Sequence, residues 1–277
     1  MTRGGFMIAA TKTIMVESQN DEQRTKKMLS NEPGTCFAIE GNIGAGKSTF
    51  LKMVKEYLEI QAVFEPHEQW QTVGGSENLL EKFYTDTQRW AYTFQSYAFI
   101  TRVRTQEEHA KINIYPAQIL ERSVYSDRYC FAKNCFEQGL MTRLEWQLYQ
   151  EWFSWLIDTY VTKPTGFIYL QTDPDICYNR LRKRDRHEES AVSLDYLTML
   201  HNKHENWLIK KEGVDSCIAD IPVLVLHCNN DFEKDTDEQH RHVQKIINFI
   251  AEHTGTTVTP TYKFNAFNLS TLDNEYK

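Results

Sequence analysis

Five short apolar runs punctuate the chain: Cys36–Ile39, Gln61–Phe64, Gln118–Leu120, Phe167–Leu170 and Pro222–Leu226. They are continuous rather than alternating, as strands covered on both faces are, and long stretches of helical period separate them. That order predicts an α/β fold, a five-stranded parallel sheet flanked by helices. One helical segment is unusual. Arg143–Tyr160 carries Leu144, Trp146, Leu148, Tyr149, Trp152, Phe153, Trp155, Leu156 and Ile157, which go most of the way round a helix. Such a helix must be covered on nearly all sides. Burial among neighbouring helices and contact with a second copy of the chain compete here, and the second predicts a homodimer.

No Pro- or Gly-rich linker and no internal repeat divides residues 34–253, which read as one domain. Residues 1–33 are expected to form a flexible head and residues 254–277, rich in Thr and Asn, a flexible tail. Composition changes this little. Of 277 residues, 41% are hydrophobic and 25% charged, and no apolar run is long enough for a membrane-spanning helix. A formal net charge of −7 argues against the broad basic face of a duplex-binding protein. Neither a membrane nor a nucleic acid is therefore an expected partner. Cys36, Cys130, Cys135, Cys177, Cys217 and Cys228 form no C-x-x-C pair and read as reduced, buried thiols of an intracellular protein. His201 and His204 share a helix face but have no further metal ligands nearby.

The chemistry starts at Gly41-Asn42-Ile43-Gly44-Ala45-Gly46-Lys47-Ser48, followed by Thr49. It fits G-x-x-x-x-G-K-[ST] between an apolar strand and a helix, where backbone N–H groups and the helix N-terminus can cradle phosphate. Lys47 adds a point charge, and Ser48 offers a hydroxyl to Mg²⁺. An ordinary Gly-rich turn is the plain alternative.

Three clusters follow at predicted strand ends, where open α/β sheets place ligands. Glu65-Pro66 is positioned to take a proton from a hydroxyl, although a surface Glu at a turn would look the same. In Glu121-Arg122-Ser123-Val124-Tyr125-Ser126-Asp127-Arg128-Tyr129, Glu121 can help hold a metal and Arg122 can neutralise phosphate and steady Glu65; an ion-paired loop competes. Arg180 through Glu189 can supply an arginine-rich lid over a triphosphate, with a solvated basic helix as the alternative. Gln95 and Arg102 lie two helical turns apart with Ala98 between them. Among aromatic residues, that face can form a flat slot for a nucleobase, or simply core.

Taken together, these segments closely resemble the eukaryotic deoxyribonucleoside kinase family, in its deoxycytidine and deoxyguanosine kinase branch. The carriers are Ile39–Thr49, Glu65-Pro66, Arg89-Trp90, Thr93-Phe94-Gln95, Glu121–Tyr129 and Arg180–Glu189. The resemblance implies a P-loop kinase fold and transfer of the ATP γ-phosphate to the 5′-hydroxyl of deoxycytidine or a purine deoxynucleoside, with Mg²⁺. It implies that Glu65 is the general base, that Arg122 contacts phosphate and Glu65, and that Ser48 and Glu121 serve the metal. Tyr84 and Glu189 would hold the sugar 3′-hydroxyl. Phe94 and Phe131 would sandwich the base, Trp70 would line the pocket and Gln95 would bond the base edge. Arg180, Arg184 and Arg186 would surround the donor phosphates, with Asp231-Phe232 at the donor's base. Arg102 and Asp127 stand where the thymidine-preferring branch carries smaller or apolar residues, so thymidine is expected to be the poor substrate. Ala98 resembles the deoxycytidine branch and Phe99 the deoxyguanosine branch. His67 and Glu68 depart from the family, where apolar or small residues are usual. One branch is cytosolic and the other mitochondrial; a cytoplasmic location is expected, with mitochondria as the alternative. A nucleoside monophosphate kinase and a non-catalytic structural protein of the same fold are the rivals.

Overall fold

A computed structural model of the chain describes residues 35–111 and 114–264. Strands β1 (Cys36–Glu40), β2 (Gln61–Val63), β3 (Gln118–Glu121), β4 (Gly166–Gln171) and β5 (Val223–His227) form one sheet in the order β2-β3-β1-β4-β5. Every neighbouring pair is parallel. The expected strands are thus present within a residue or two of their predicted ends. In β1 the pleat divides the side chains cleanly. Cys36 and Ala38 enter the hydrophobic core on one face, Phe37 and Ile39 the core on the other. A strand buried on both faces reads as an unbroken apolar run for this reason.

Helices cover both faces. They are α1 (Lys47–Tyr57), α2 (His67–Gln71), α3 (Leu79–Thr85), α4 (Thr87–Ala110), α5 (Val124–Ser126), α6 (Lys133–Glu137), α7 (Arg143–Tyr160), α8 (Pro174–Arg184), α9 (Leu194–His204), α10 (Ser216–Ala219) and α11 (Thr236–Thr254). A π-helical turn, Asp127–Ala132, joins α5 to α6, and a 3₁₀ turn, His187–Ala191, follows α8. Local sequence sets the ends. Asn78 and Asp86 cap α3 and α4 by accepting from the backbone N–H three residues on. Thr142 and Glu145 form a reciprocal capping box at α7. Because β1 lies between β3 and β4, the crevice at its carboxyl end receives the loops after β1, β2 and β3.

Two segments differ from their plainest reading. Within this chain only Tyr149, Phe153 and Leu156 of α7 are buried, whereas Leu144 is 69% exposed, Trp152 50% and Trp155 52%. One stripe packs on α4, through Phe99 against Tyr149 and Phe153, and Trp146 stacks on Phe136 of α6, so burial among neighbouring helices covers only part of its apolar surface. The second segment is the tail. Residues beyond Thr254 fold back as far as Phe264: Glu59 donates its N–H to Thr259 O at 2.9 Å, and Thr261 donates to Tyr57 O at 2.8 Å. Val258 and Phe264 are buried, and Phe264 stacks on His240 with ring centroids 4.8 Å apart. Two apolar anchors and paired backbone groups hold what composition alone presents as loose chain. Residues 1–33 and 265–277 of the expected head and tail lie outside the described residues.

Candidate active site

The loop after β1 adopts its shape through glycines at positive φ. Gly44 sits at φ 81°, and a Cβ there would lie 2.3 Å from the Cys177 carbonyl oxygen of α8. Gly46, at φ 93°, is the N-cap of α1. Asn42 ties the loop to α9 by donating its side-chain amide to Leu197 O at 2.8 Å. Lys47 donates to Asn42 O at 2.7 Å, and burial with the nearby Arg122 draws its ammonium down to about 7. An anion in the loop would reverse that shift.

Ser48, at the start of α1, donates its hydroxyl to Glu121 Oε1 at 2.5 Å. Glu121 ends β3 and also accepts from the Glu65 N–H at 3.4 Å. The loops after three strands therefore meet at one point. Among the described residues no group of three or more His, Cys, Asp or Glu side chains is arranged around a metal position. A hydroxyl beside a single carboxylate is nevertheless the sparse oxygen set that Mg²⁺ uses when phosphates complete its shell.

Glu65 is 7% exposed, and three side chains engage it. Arg102 Nη2 donates to Oε1 at 2.8 Å, Arg122 Nε lies 3.4 Å from the same oxygen, and His67 Nε2 lies 2.9 Å from Oε2. Burial alone would push this carboxyl up; His67, Arg102 and Arg122 outweigh it and hold it well below the usual carboxylate range. Arg122 works from a left-handed backbone, φ 64°, fixed by its N–H donating to Ile39 O and its Nη1 donating to Gly41 O at 2.8 Å. Arg102 also grips Asp127 through Nε at 2.7 Å and Nη2 at 3.1 Å. Burial disfavours the Arg102 charge, but Asp127 and Glu65 outweigh it and hold the guanidinium above its ordinary value.

Two cavities meet at the loop. The first, of about 280 Å³, is lined by Lys47, Ser48, Thr49, Glu65, His67, Tyr84, Glu121, Arg122, Phe131, Arg184, Arg186 and Glu189. The second, of about 440 Å³, is lined by Arg180, Asp231 and Phe232 and shares Gly44, Gly46, Thr49 and Arg184 with the first. Most expected residues are thereby brought together, in two compartments on either side of one loop.

Some are not. Trp70, Phe94, Gln95, Ala98, Arg102 and Asp127 lie outside the walls of both cavities and are between 2% and 7% exposed. Phe94 stacks on Phe83 at 4.6 Å, with the planes 17° apart, and meets Trp70 edge-on. Trp70 donates its indole N–H to Thr101 Oγ1 at 2.9 Å, and the Gln95 amide turns towards Cys135 Sγ at 3.9 Å. Phe131 carries the Arg122 guanidinium over its ring at 4.7 Å. The open slot with Gln95 at its edge is thus replaced by packed side chains one layer behind the cleft. Glu189 is likewise committed: Arg184 donates to it at 2.5 Å and Arg186 lies 3.7 Å away. Burial and this neighbouring carboxylate push the Tyr84 phenol up. Arg180 donates to Asn230 O at 2.8 Å, with its guanidinium 5.9 Å from the Phe232 ring.

Sequence reasoning assigned no role to Glu40. Its carboxylate, at the end of β1, accepts from the Ser123 N–H at 2.8 Å and hydroxyl at 2.5 Å, and burial pushes it up to about 7 against the pull of Arg122. The signal available was a charged residue closing an otherwise apolar strand. His67 was visible only as a departure from the family. The contact between Arg102 and Glu65 has no local signature, since 37 residues separate them.

A profile of the deoxynucleoside kinase family matches residues 37–251. The chain is 41% identical to deoxycytidine kinase 2 of Gallus gallus, an alignment covering 77% of this chain and 89% of that one. It is 36% identical to the mitochondrial deoxyguanosine kinase of Xenopus laevis, covering 83% and 92%, and 37% identical to the deoxycytidine kinase of Homo sapiens, covering 78% and 90%. With the parallel sheet and the phosphate loop in place, these matches make the chain a member of the deoxynucleoside kinase family, an ATP-dependent deoxynucleoside kinase.

Proposed function

We propose that the enzyme moves the ATP γ-phosphoryl group to the 5′-hydroxyl of deoxycytidine and of purine deoxynucleosides, with thymidine the poor substrate. The observation that carries this reading is the buried, two-pronged ion pair of Arg102 with Asp127, tied through Arg102 to Glu65. A fixed charged pair behind the acceptor cleft suits a substrate edge rich in hydrogen-bonding groups. A substrate that cannot match it leaves buried charges unpaired, which discriminates strongly. Similarity to both deoxycytidine and deoxyguanosine kinases supports the same substrate range.

Glu65 takes the proton of the 5′-hydroxyl as that oxygen attacks phosphorus. Lys47 and the loop N–H groups hold the donor, and Arg180, Arg184 and Arg186 spread its charge. Tyr84 and Glu189 are the groups for the sugar 3′-hydroxyl; for Glu189 this means exchanging a lid arginine for substrate. Ser48 and Glu121 would hold Mg²⁺, which when bound neutralises charge on the β- and γ-phosphates. The uncovered face of α7 supports a homodimer. Free thiols, buried at every cysteine but Cys217, and the lack of any disulfide among the described residues fit a reducing compartment such as the cytoplasm. No helix among the described residues is long and apolar enough to cross a membrane.

The deciding measurement is kcat/KM for the four deoxynucleosides with ATP, alongside Glu65→Gln. Deoxycytidine or a purine deoxynucleoside should lead. The variant should lose at least about a hundredfold in kcat with nucleoside binding little changed. Thymidine in first place would overturn the substrate range, and normal turnover by Glu65→Gln would overturn the base.

A further inference from the structure

Of the three groups on the Glu65 carboxylate, two are guanidiniums, which keep their charge at every accessible pH. The third is an imidazole, a planar ring whose N–H can be aimed at a single carboxylate oxygen. Oε1 is shared by the two arginines, whereas Oε2 meets His67 Nε2 at 2.9 Å. Contact at that distance places an N–H of the ring on the carboxylate. The His67 ring stands edge-on to Trp70, with centroids 5.0 Å apart, and its Nδ1 is buried without a hydrogen-bond partner. The side chain is 27% exposed and lines the same cavity as Lys47, Ser48 and Tyr84, so the contact stands at the cleft itself.

We infer that His67 is a positioning residue for the Glu65 base: its Nε2–H holds Oε2 while the two guanidiniums hold Oε1, so the carboxylate is fixed in one orientation at the cleft. The inference rests on Glu65 being the base. A base must lie within hydrogen-bond reach of the proton it takes, so a carboxylate held on one oxygen only can turn away from that position and transfers the proton more slowly. The reaction itself is unchanged. The O5′–H bond breaks towards Glu65, O5′ bonds to phosphorus, the bond from phosphorus to the bridging oxygen breaks with its electron pair leaving on ADP, and Glu65 later releases the proton to water.

The other charges around this cleft are Lys47 and Lys52 of α1, Arg102 of α4, Glu121 and Arg122 at the end of β3, and Arg184, Arg186 and Glu189 of the lid, with the Tyr84 phenol from α3.

The experiment is kcat and KM for the whole chain, wild type against His67→Gln and His67→Val, with Glu65→Gln beside them. Gln can donate to Oε2 and Val cannot. His67→Val should lose about tenfold in kcat with nucleoside KM little changed, as for a base moved off its position. His67→Gln should recover most of that loss. Equal losses in the two variants, no loss in His67→Val, or effects confined to KM would overturn the inference. If Glu65→Gln is inactive while both His67 variants behave alike, only this inference falls; if Glu65→Gln is active, the assignment of the base falls first.

Discussion

Arg122 reaches the Gly41 carbonyl with one nitrogen and the Glu65 carboxylate with another, so the loop after β1 and the proposed base hang on one guanidinium. Arg122→Lys replaces a planar fork with a point charge that cannot hold both partners. We expect kcat/KM to fall by about a hundredfold, as for loss of one well-placed electrostatic donor, with a smaller fall in melting temperature. Steady-state kinetics and a thermal scan check it; activity close to wild type would show that the two contacts are dispensable.

Lys47→Met should separate stability from turnover. Burial and Arg122 bring Lys47 from 10.5 to about 7, so between those values the unfolded chain binds a proton that the folded chain lacks. That opposes folding, less so as pH rises towards 10.5. The variant should therefore melt higher than wild type at pH 8 by roughly 2–6 °C while losing phosphoryl transfer. A lower melting temperature would contradict the expected direction.

Glu40 works with the opposite sign. Its carboxyl rises from 4.5 to about 7 in the fold, so within that window the folded chain keeps a proton the unfolded chain has released. Its contribution to stability is present below about 4.5 and lost as pH rises through 7, on the order of 3 kcal/mol across the whole window. Glu40→Gln removes this dependence. Urea unfolding of both proteins at pH 5 and pH 8 should show the gap between them moving towards the variant at the higher pH.

Asp127→Ala strands a buried guanidinium. Removing one partner of such a pair costs about 3–5 kcal/mol, with Glu65 keeping the loss near the lower figure. Adding Arg102→Leu to it should recover part of the stability, because the orphaned charge goes too, and thymidine should gain relative to deoxycytidine. Denaturation of single and double variants, with substrate ratios, tests both. No recovery in the double variant would mean that Asp127 matters for packing alone.

Trp152 and Trp155 lie half exposed on α7, edge to face at 6.0 Å. For the proposed homodimer, wild type should sediment at twice the chain mass, and replacing both by Glu should halve that mass while leaving the helical signal intact. A monomeric wild type, or an unchanged mass in the variant, would overturn a dimer through this face.

Much of this molecule was legible in one dimension because its signals are local. A buried parallel strand is an apolar run, so all five strands could be read directly, and the loop Gly41–Ser48 has a fixed spacing. Glu65 and Glu121 could be singled out because strand ends are where such sheets put ligands, and the fold does bring them together. What escaped depends on pairing across the fold. Arg102 on α4 gives no hint that it reaches Glu65, 37 positions earlier, as well as Asp127. Nor does the sequence say that Phe83, eleven positions earlier, stacks on Phe94. The tail was misjudged because two anchors, Val258 and Phe264, outweigh a polar composition.

Gly44 leaves no space for a side chain between the loop and the Cys177 carbonyl. Since α8 bears Arg180 and Arg184 as well as Cys177, this one missing methyl group determines how near the two arginines proposed for the donor stand to the loop. Any descendant that replaced Gly44 would have to re-seat α8, and its arginines would travel with it. Drift in the loop is therefore answerable to a helix more than 130 positions away, and the two segments should change together or not at all.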